Sequence, residues 1–219
     1  MNESSLKAPY TAVDSPPARL NRRQEAKQKT RLRVLESARS LFALHGYDSA
    51  TIRDIASGAG MSTGAVFANF QDKADLFEAV LTEDMEETAS AMRRGAEQAR
   101  GEGLRAQIIA MFREGYAHGL ERLPLVQATV ARLWFQPVDA ELRTRQIVRE
   151  AMQVVSETLR DGVRRGELTE GVDLKLLCET LWDLYLVNYR KAAYESWSLS
   201  QIVTRLETQV DMVLAQGRA

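Results

Sequence analysis

The residue types that most often do chemistry are scarce in this chain and poorly arranged for catalysis. There are only two histidines, His45 and His118, 73 positions apart, and neither sits in an HExxH or Glu-x-x-His pattern. His45 stands one residue before Gly46, where an imidazole complements a helix C-terminus. The single cysteine, Cys178, lies in an apolar run and reads as inert core rather than as a nucleophile or redox switch. One cysteine also excludes an internal disulfide and a Cys-rich zinc site. Gly58-Ala59-Gly60 lacks the Gly-Lys-Ser/Thr that completes a phosphate loop. No enzyme, cofactor site or metal site is expected from these residues.

What remains is electrostatic chemistry. The chain carries −1 overall, but the charge is unevenly spread. Between Arg19 and Arg53 nine basic residues (Arg19, Arg22, Arg23, Lys27, Lys29, Arg31, Arg33, Arg39 and Arg53) face three acidic ones, Glu25, Glu36 and Asp48. That segment therefore holds a net +6, and the rest of the chain holds −7. A basic end on an acidic body fits contact with a polyanion, and equally fits a solvated basic helix face.

The elements that must carry these residues are helical. The 219 residues, 45% hydrophobic and 27% charged, have the balance of a globular protein with room for a substantial core. The longest apolar run is five residues, Ile108 to Phe112, far below the roughly 20 that span a bilayer. Met1–Ser5 shows no secretory pattern, so a cytoplasmic protein without a membrane partner is expected. Residues 1–24 hold three of the five prolines and read as a disordered tail. Val34, Leu35, Ala38, Leu41 and Phe42 then recur at helical spacing, and Gly46 stops the run.

Thr51 and Asp54 form a variant capping box for a short second helix. Gly58-Ala59-Gly60 turns the chain, and Ser62 starts a third helix through Phe67 to about Phe70. Asp72 caps a longer one through Leu76, Phe77, Val80, Leu81 and Met85. Further helices are expected at about 104–118, 123–135, 138–165, 173–195 and 199–215, with Pro124 and Pro137 near helix starts. The fold class is all-α, about nine helices, with 25–72 as one domain and 73–219 as another.

The segment 173–195 is apolar over more than one face, through residues such as Leu176, Leu177, Leu181, Trp182, Leu184, Tyr185 and Val187. The last helix adds Ile202, Val203, Leu206, Val210 and Val213. This pair reads either as a dimer interface or as a deep monomeric core.

Residues 46–77 describe a helix-turn-helix with supporting helices. A recognition helix must present small side chains at its N-terminal end so that its backbone approaches the base edges. Thr63, Gly64 and Ala65 do so, and Ser62 can cap that end, where free N–H groups favour a phosphate.

With Gly46-Tyr47, Thr51 to Ala56, Ala59-Gly60, Ser62-Thr63-Gly64, Phe67, Phe70 and Lys73 to Leu76, the segment resembles the N-terminal domain of the tetracycline-repressor (TetR) family of bacterial transcription regulators. The likeness spans roughly 45 residues. It implies a homodimer through 173–195 and 199–215, a palindromic double-stranded DNA operator, and a small-molecule effector that releases it. It implies base or phosphate contact for Arg53, and base reading for Thr63, Gly64 and Ala65. Phe67 stands where the family usually has Tyr, which leaves the apolar contact without the hydroxyl. Asn69 and Lys73 match phosphate-binding positions.

Each position also has a plain reading. That reading is helix packing for Gly64, the core for Phe67, and a solvated charge for Lys73. The basic run Arg19–Arg33 would reach the DNA or form the solvated first turns of helix one. Residues 104–195 would form the sensing body, with Met111, Tyr116, Trp134, Phe135, Met152, Trp182 and Tyr185 lining a site for an apolar or aromatic ligand, or packing the core. The competing function is a helical ligand-binding or scaffold protein that no longer binds DNA.

Overall fold

The computed structural model describes residues 22–135, 138–215 and 217, and the side chains of 22–23, 132–135 and 138–144 lie outside that description. Most of the expected tail, Pro137, and the side chains of Trp134 and Phe135 therefore fall outside the described residues. Nine α-helices follow in chain order among the described residues: α1 (Arg22–Ser49), α2 (Ile52–Gly58), α3 (Thr63–Phe67), α4 (Lys73–Gln98), α5 (Leu104–Leu120), α6 (Leu123–Phe135), α7 (Val138–Arg164), α8 (Leu174–Glu195) and α9 (Leu199–Leu214). A single 3₁₀ turn, Arg100–Glu102, links α4 to α5.

The boundaries follow from local chemistry. Gly46, at φ 74° and ψ 177°, kinks α1, and one further turn follows it. A side chain would be strained there, so the regular helix breaks where only glycine is comfortable. Thr51 accepts the Asp54 N–H at 3.2 Å and donates its hydroxyl to that residue's carboxylate at 2.6 Å. Ser62 accepts from Ala65 N at 3.3 Å, and Asp72 from Asp75 N at 2.8 Å. Each cap satisfies a helix-end donor that would otherwise need water.

Two boundaries differ from the sequence reading. Helix α1 already includes Arg22 to Gln24, which extends it into the expected tail. Helix α3 ends at Phe67 rather than near Phe70, and the Asn69 amide reaches back to the Ala65 carbonyl at 2.9 Å. That side-chain bond competes with continuation of the helix.

Two cores form. The first joins Val34, Ala38 and Phe42 of α1 to Ile55, Val66, Phe70, Leu76, Phe77 and Val80, with Leu125 of α6 sealing it. The second is built by α4, α5, α7, α8 and α9 around residues such as Met92, Met111, Phe112, Leu159, Leu181 and Leu206. Helix α4 belongs to both. Its first turns pack the small N-terminal unit, and its remainder packs the large bundle. The expected division between 72 and 73 therefore falls ahead of a helix that both cores share.

Glycine shapes the second core. A Cβ at Gly119 would lie 2.2 Å from the Tyr189 hydroxyl, and one at Gly115 would lie 2.9 Å from that of Tyr185. The two glycines, one helical turn apart on α5, let the α8 tyrosines lie against the α5 backbone.

Candidate nucleic-acid interface

Helices α2 and α3 are too short to hold themselves, and α1 fixes both through side chains that reach backbone carbonyls. Ser37 donates to Ile55 O at 2.8 Å, and Arg33 to Ala59 O at 2.6 Å, closing the C-terminal end of α2. Arg31 donates to Asn69 O at 3.2 Å, with its guanidinium 4.3 Å from the Phe70 ring centroid. The two arginine bonds are charge-assisted, each worth about 1.5–3 kcal/mol where shielded and less where exposed, and with the neutral Ser37 bond they set the angle of the helix-turn-helix on its support.

The basic segment thus divides in two. Arg31, Arg33 and Arg39 have partners within the chain, whereas the side chains of Lys27, Lys29 and Arg53 are exposed.

The N-terminal end of α3 stands open. Thr63 and Gly64 are exposed and Ala65 is half-buried. A Cβ on Gly64 would meet nothing closer than its own cap, Ser62 Oγ at 3.7 Å, so the glycine does not serve helix packing. Phe67 is 54% exposed, a large apolar ring directed away from the core that holds Val66 and Phe70. The core reading of Phe67 is thereby corrected. Asn69 is half-buried and one of its amide hydrogens goes to Ala65 O.

Lys73 lies elsewhere than a solvated charge would. Its ammonium donates to the carbonyls of Tyr47 at 2.8 Å, Ala50 at 3.0 Å and Asp48 at 3.3 Å. An ammonium has three hydrogens, and all three have acceptors here. It serves the C-terminal end of α1.

Behind the interface, ion pairs join α1 to the bundle. Arg39 holds Glu83 at 2.5 Å and Glu87 at 2.7 Å, both on α4. Arg122, in the turn between α5 and α6, also reaches Glu87 at 3.2 Å, and Asp84 at 3.4 Å. Sequence reading missed these links and the carbonyl clamps alike.

In the bundle, four of the expected ligand-lining residues (Met111, Tyr116, Trp182 and Tyr185) are buried together, and Met152 is half-buried at the edge of the same core. The aromatic rings touch: Tyr116 and Tyr185 lie 4.7 Å apart, and Trp182 and Tyr185 5.3 Å. Tyr116 donates to Tyr185 O at 3.1 Å and accepts from Asn188 at 3.2 Å. A groove of about 840 Å³ lies instead between α8 and α9, lined by Leu184, Trp197, Arg205, Gln209, Met212 and Val213. Met212 of this lining, and Leu176 and Val187 elsewhere on α8, are large, apolar and exposed. Among the described residues no helix is long and apolar enough to cross a membrane.

The arrangement is that of a helix-turn-helix DNA reader mounted on an all-helical body, and comparison with known proteins agrees. Residues 34–80 match the domain described as "Bacterial regulatory proteins, tetR family". The chain is 30% identical over 161 residues to the HTH-type transcriptional repressor AcnR of Corynebacterium diphtheriae, covering 71% of this chain and 78% of that one. It is 45% identical over 64 residues to the HTH-type transcriptional repressor Rv1474c of Mycobacterium tuberculosis, a match that spans 29% of this chain and about a third (34%) of that one. The fold superposes with a TM-score of 0.71, at 15% identity, on FadR of Bacillus subtilis in complex with stearoyl-CoA, covering 82% of this chain and 96% of that one. The chain belongs to the tetR family of bacterial regulatory proteins.

Proposed function

We propose that this chain is a transcriptional repressor that binds a palindromic operator as a homodimer and leaves it when a small molecule binds the bundle. The observation that carries the reading is the open N-terminal end of α3. Thr63, Gly64 and Phe67 are exposed, Arg53 is exposed on the neighbouring helix, and both helices are clamped by Arg31, Arg33 and Ser37. Small residues there admit the backbone to the major groove, Arg53 supplies a base or phosphate donor, and Phe67 supplies an apolar surface for a sugar or a thymine methyl. Two of the relatives are themselves named repressors.

A five-residue reading helix is small for the affinity such regulators need, about 10⁻⁸ to 10⁻¹¹ M. Two half-sites supply the rest, and the exposed apolar residues of α8 and α9 (Leu176, Val187 and Met212) support a partner copy there. The effector is proposed to be apolar or aromatic and to enter among Met111, Tyr116, Met152, Trp182 and Tyr185, parting side chains that otherwise pack together. The FadR structure is a complex with stearoyl-CoA, a molecule with a long apolar chain. Release needs only about 1–3 kcal/mol of coupling. Such a regulator works in the cytoplasm, where its operator lies.

The test is fluorescence anisotropy of the full chain on DNA from upstream of its own gene, against a scrambled duplex at two salt concentrations. Tight, salt-sensitive preference for the upstream fragment, lost on replacing Thr63 with Trp in a chain that stays folded, is the expected result. Equal binding by the Thr63→Trp chain removes α3 from the contact surface.

A further inference from the structure

Asp84 and Glu87 stand one helical turn apart on α4, and His118 faces them from the last turn of α5. Each offers one donor atom, and the three atoms lie within 4.8 Å of one another. His118 Nε2 is 3.3 Å from Asp84 Oδ1 and 3.9 Å from Glu87 Oε2. Bonds of about 2.0–2.2 Å to a divalent ion place neighbouring ligand atoms about 3–3.5 Å apart, so small side-chain rotations complete the set.

A positive charge already sits among these donors. Arg122 Nη1 lies 2.7 Å from His118 Nε2, 3.2 Å from Glu87 Oε2 and 3.4 Å from Asp84 Oδ1. The Asp84 residue is only 6% exposed, and a buried carboxylate demands a cation close by. Arg122 belongs to a turn rather than a helix and is a quarter exposed, so its long side chain can leave without moving an element. Two of the three donors, Glu87 and His118, border a cleft of about 530 Å³ that Arg39 and Glu83 also line. An ion can enter there and keep water on its remaining positions.

We propose that Asp84, Glu87 and His118 form a site for a divalent transition-metal ion, which binds by displacing the guanidinium of Arg122. One imidazole with two carboxylates suits Zn²⁺, Co²⁺, Mn²⁺ or Fe²⁺; Ca²⁺ and Mg²⁺ prefer all-oxygen shells, and Cu⁺ prefers sulfur. The site also touches the DNA-binding unit. Glu87 uses Oε1 to hold Arg39 of α1 at 2.7 Å, and its Oε2 belongs to the metal set. One carboxylate is thus shared between the ion and the helix that supports the reader. That consequence rests on the DNA-binding function proposed above, whereas the metal site does not.

The test uses the untagged full chain, stripped with chelator and without DNA, titrated with Zn²⁺ by calorimetry and with Co²⁺ by optical absorption. One ion per chain is expected. Because the chain has only two histidines, each is tested in turn: His118→Gln loses the site and His45→Gln retains it, with circular dichroism confirming that both are folded. Arg122→Ala removes the competing cation and tightens Zn²⁺ binding about tenfold or more. No stoichiometric binding by the wild-type chain, unchanged binding in His118→Gln, or no tightening in Arg122→Ala overturns the proposal.

Discussion

The Lys73 ammonium lies 4.2 Å from the centroid of the Tyr47 ring and 2.8 Å from the carbonyl of the same residue. Lys73 is the first residue of α4, and Tyr47 follows the Gly46 kink in α1. The contact therefore ties the helix shared by both cores to the end of the helix that carries the reader. Tyr47 in turn stacks on Phe42 and meets Phe77 edge-on, at 5.9 and 4.7 Å between ring centroids, so the clamp is anchored in the first core.

A lysine whose three hydrogens go to main-chain carbonyls is expected to contribute to stability rather than to phosphate binding. Replacing Lys73 with Met keeps the stem and removes the donors. We expect a loss of about 1.5–3 kcal/mol of folding stability, measured by urea denaturation. The slope of log K against log salt for operator binding should stay within experimental error of wild type. A slope reduced by about one unit would return Lys73 to the phosphate contacts.

The helix positions were legible because their causes are local. The expected 199–215 and 123–135 emerge as Leu199–Leu214 and Leu123–Phe135, since apolar spacing and caps such as Ser198 lie within the segments themselves. The reading end of α3 was legible for the same reason, its small residues being contiguous. The clamps were not. Arg31, Arg33 and Lys73 bind carbonyls, which every residue carries, so no side-chain identity marks their partners. The acidic pair on α4 and His118 are 34 and 31 positions apart in sequence, and only the packing of α5 on α4 brings them together. For Met111, Tyr116, Trp182 and Tyr185, composition gave aromatic and thioether character but not how closely the side chains pack.

Phe67 separates stability from recognition. Its ring is more than half exposed and lies outside the core, so Phe67→Ala should change folding stability by no more than about 0.5 kcal/mol. If the ring rests on a sugar or thymine methyl, the same substitution weakens operator binding about tenfold with the salt slope unchanged. Phe67→Tyr adds a hydroxyl within reach of a phosphate and should strengthen binding. Thermal melts and anisotropy on the same preparations check both halves; a destabilised Phe67→Ala chain with normal DNA binding contradicts this assignment.

Glu167 gives the bundle a defined response to acid. Its carboxylate accepts the Leu104 N–H at 2.5 Å, capping α5 from the turn that follows α7, and the Arg165 guanidinium at 2.5 Å. Burial pushes its pKa up, but the Leu104 hydrogen bond and Arg165 outweigh that and hold it below the ordinary 4.5. A carboxyl that binds its proton less readily in the folded chain stabilises the fold fully above pH 4.5. That contribution disappears as the pH falls through the lower folded value. Glu167→Gln should therefore be less stable than wild type at pH 7. The gap should narrow steadily below pH 4.5, where the wild-type carboxyl takes up its proton. Urea titrations at pH 7, 5, 4 and 3 measure it, and a gap that is constant across this range would show that Glu167 acts through shape alone.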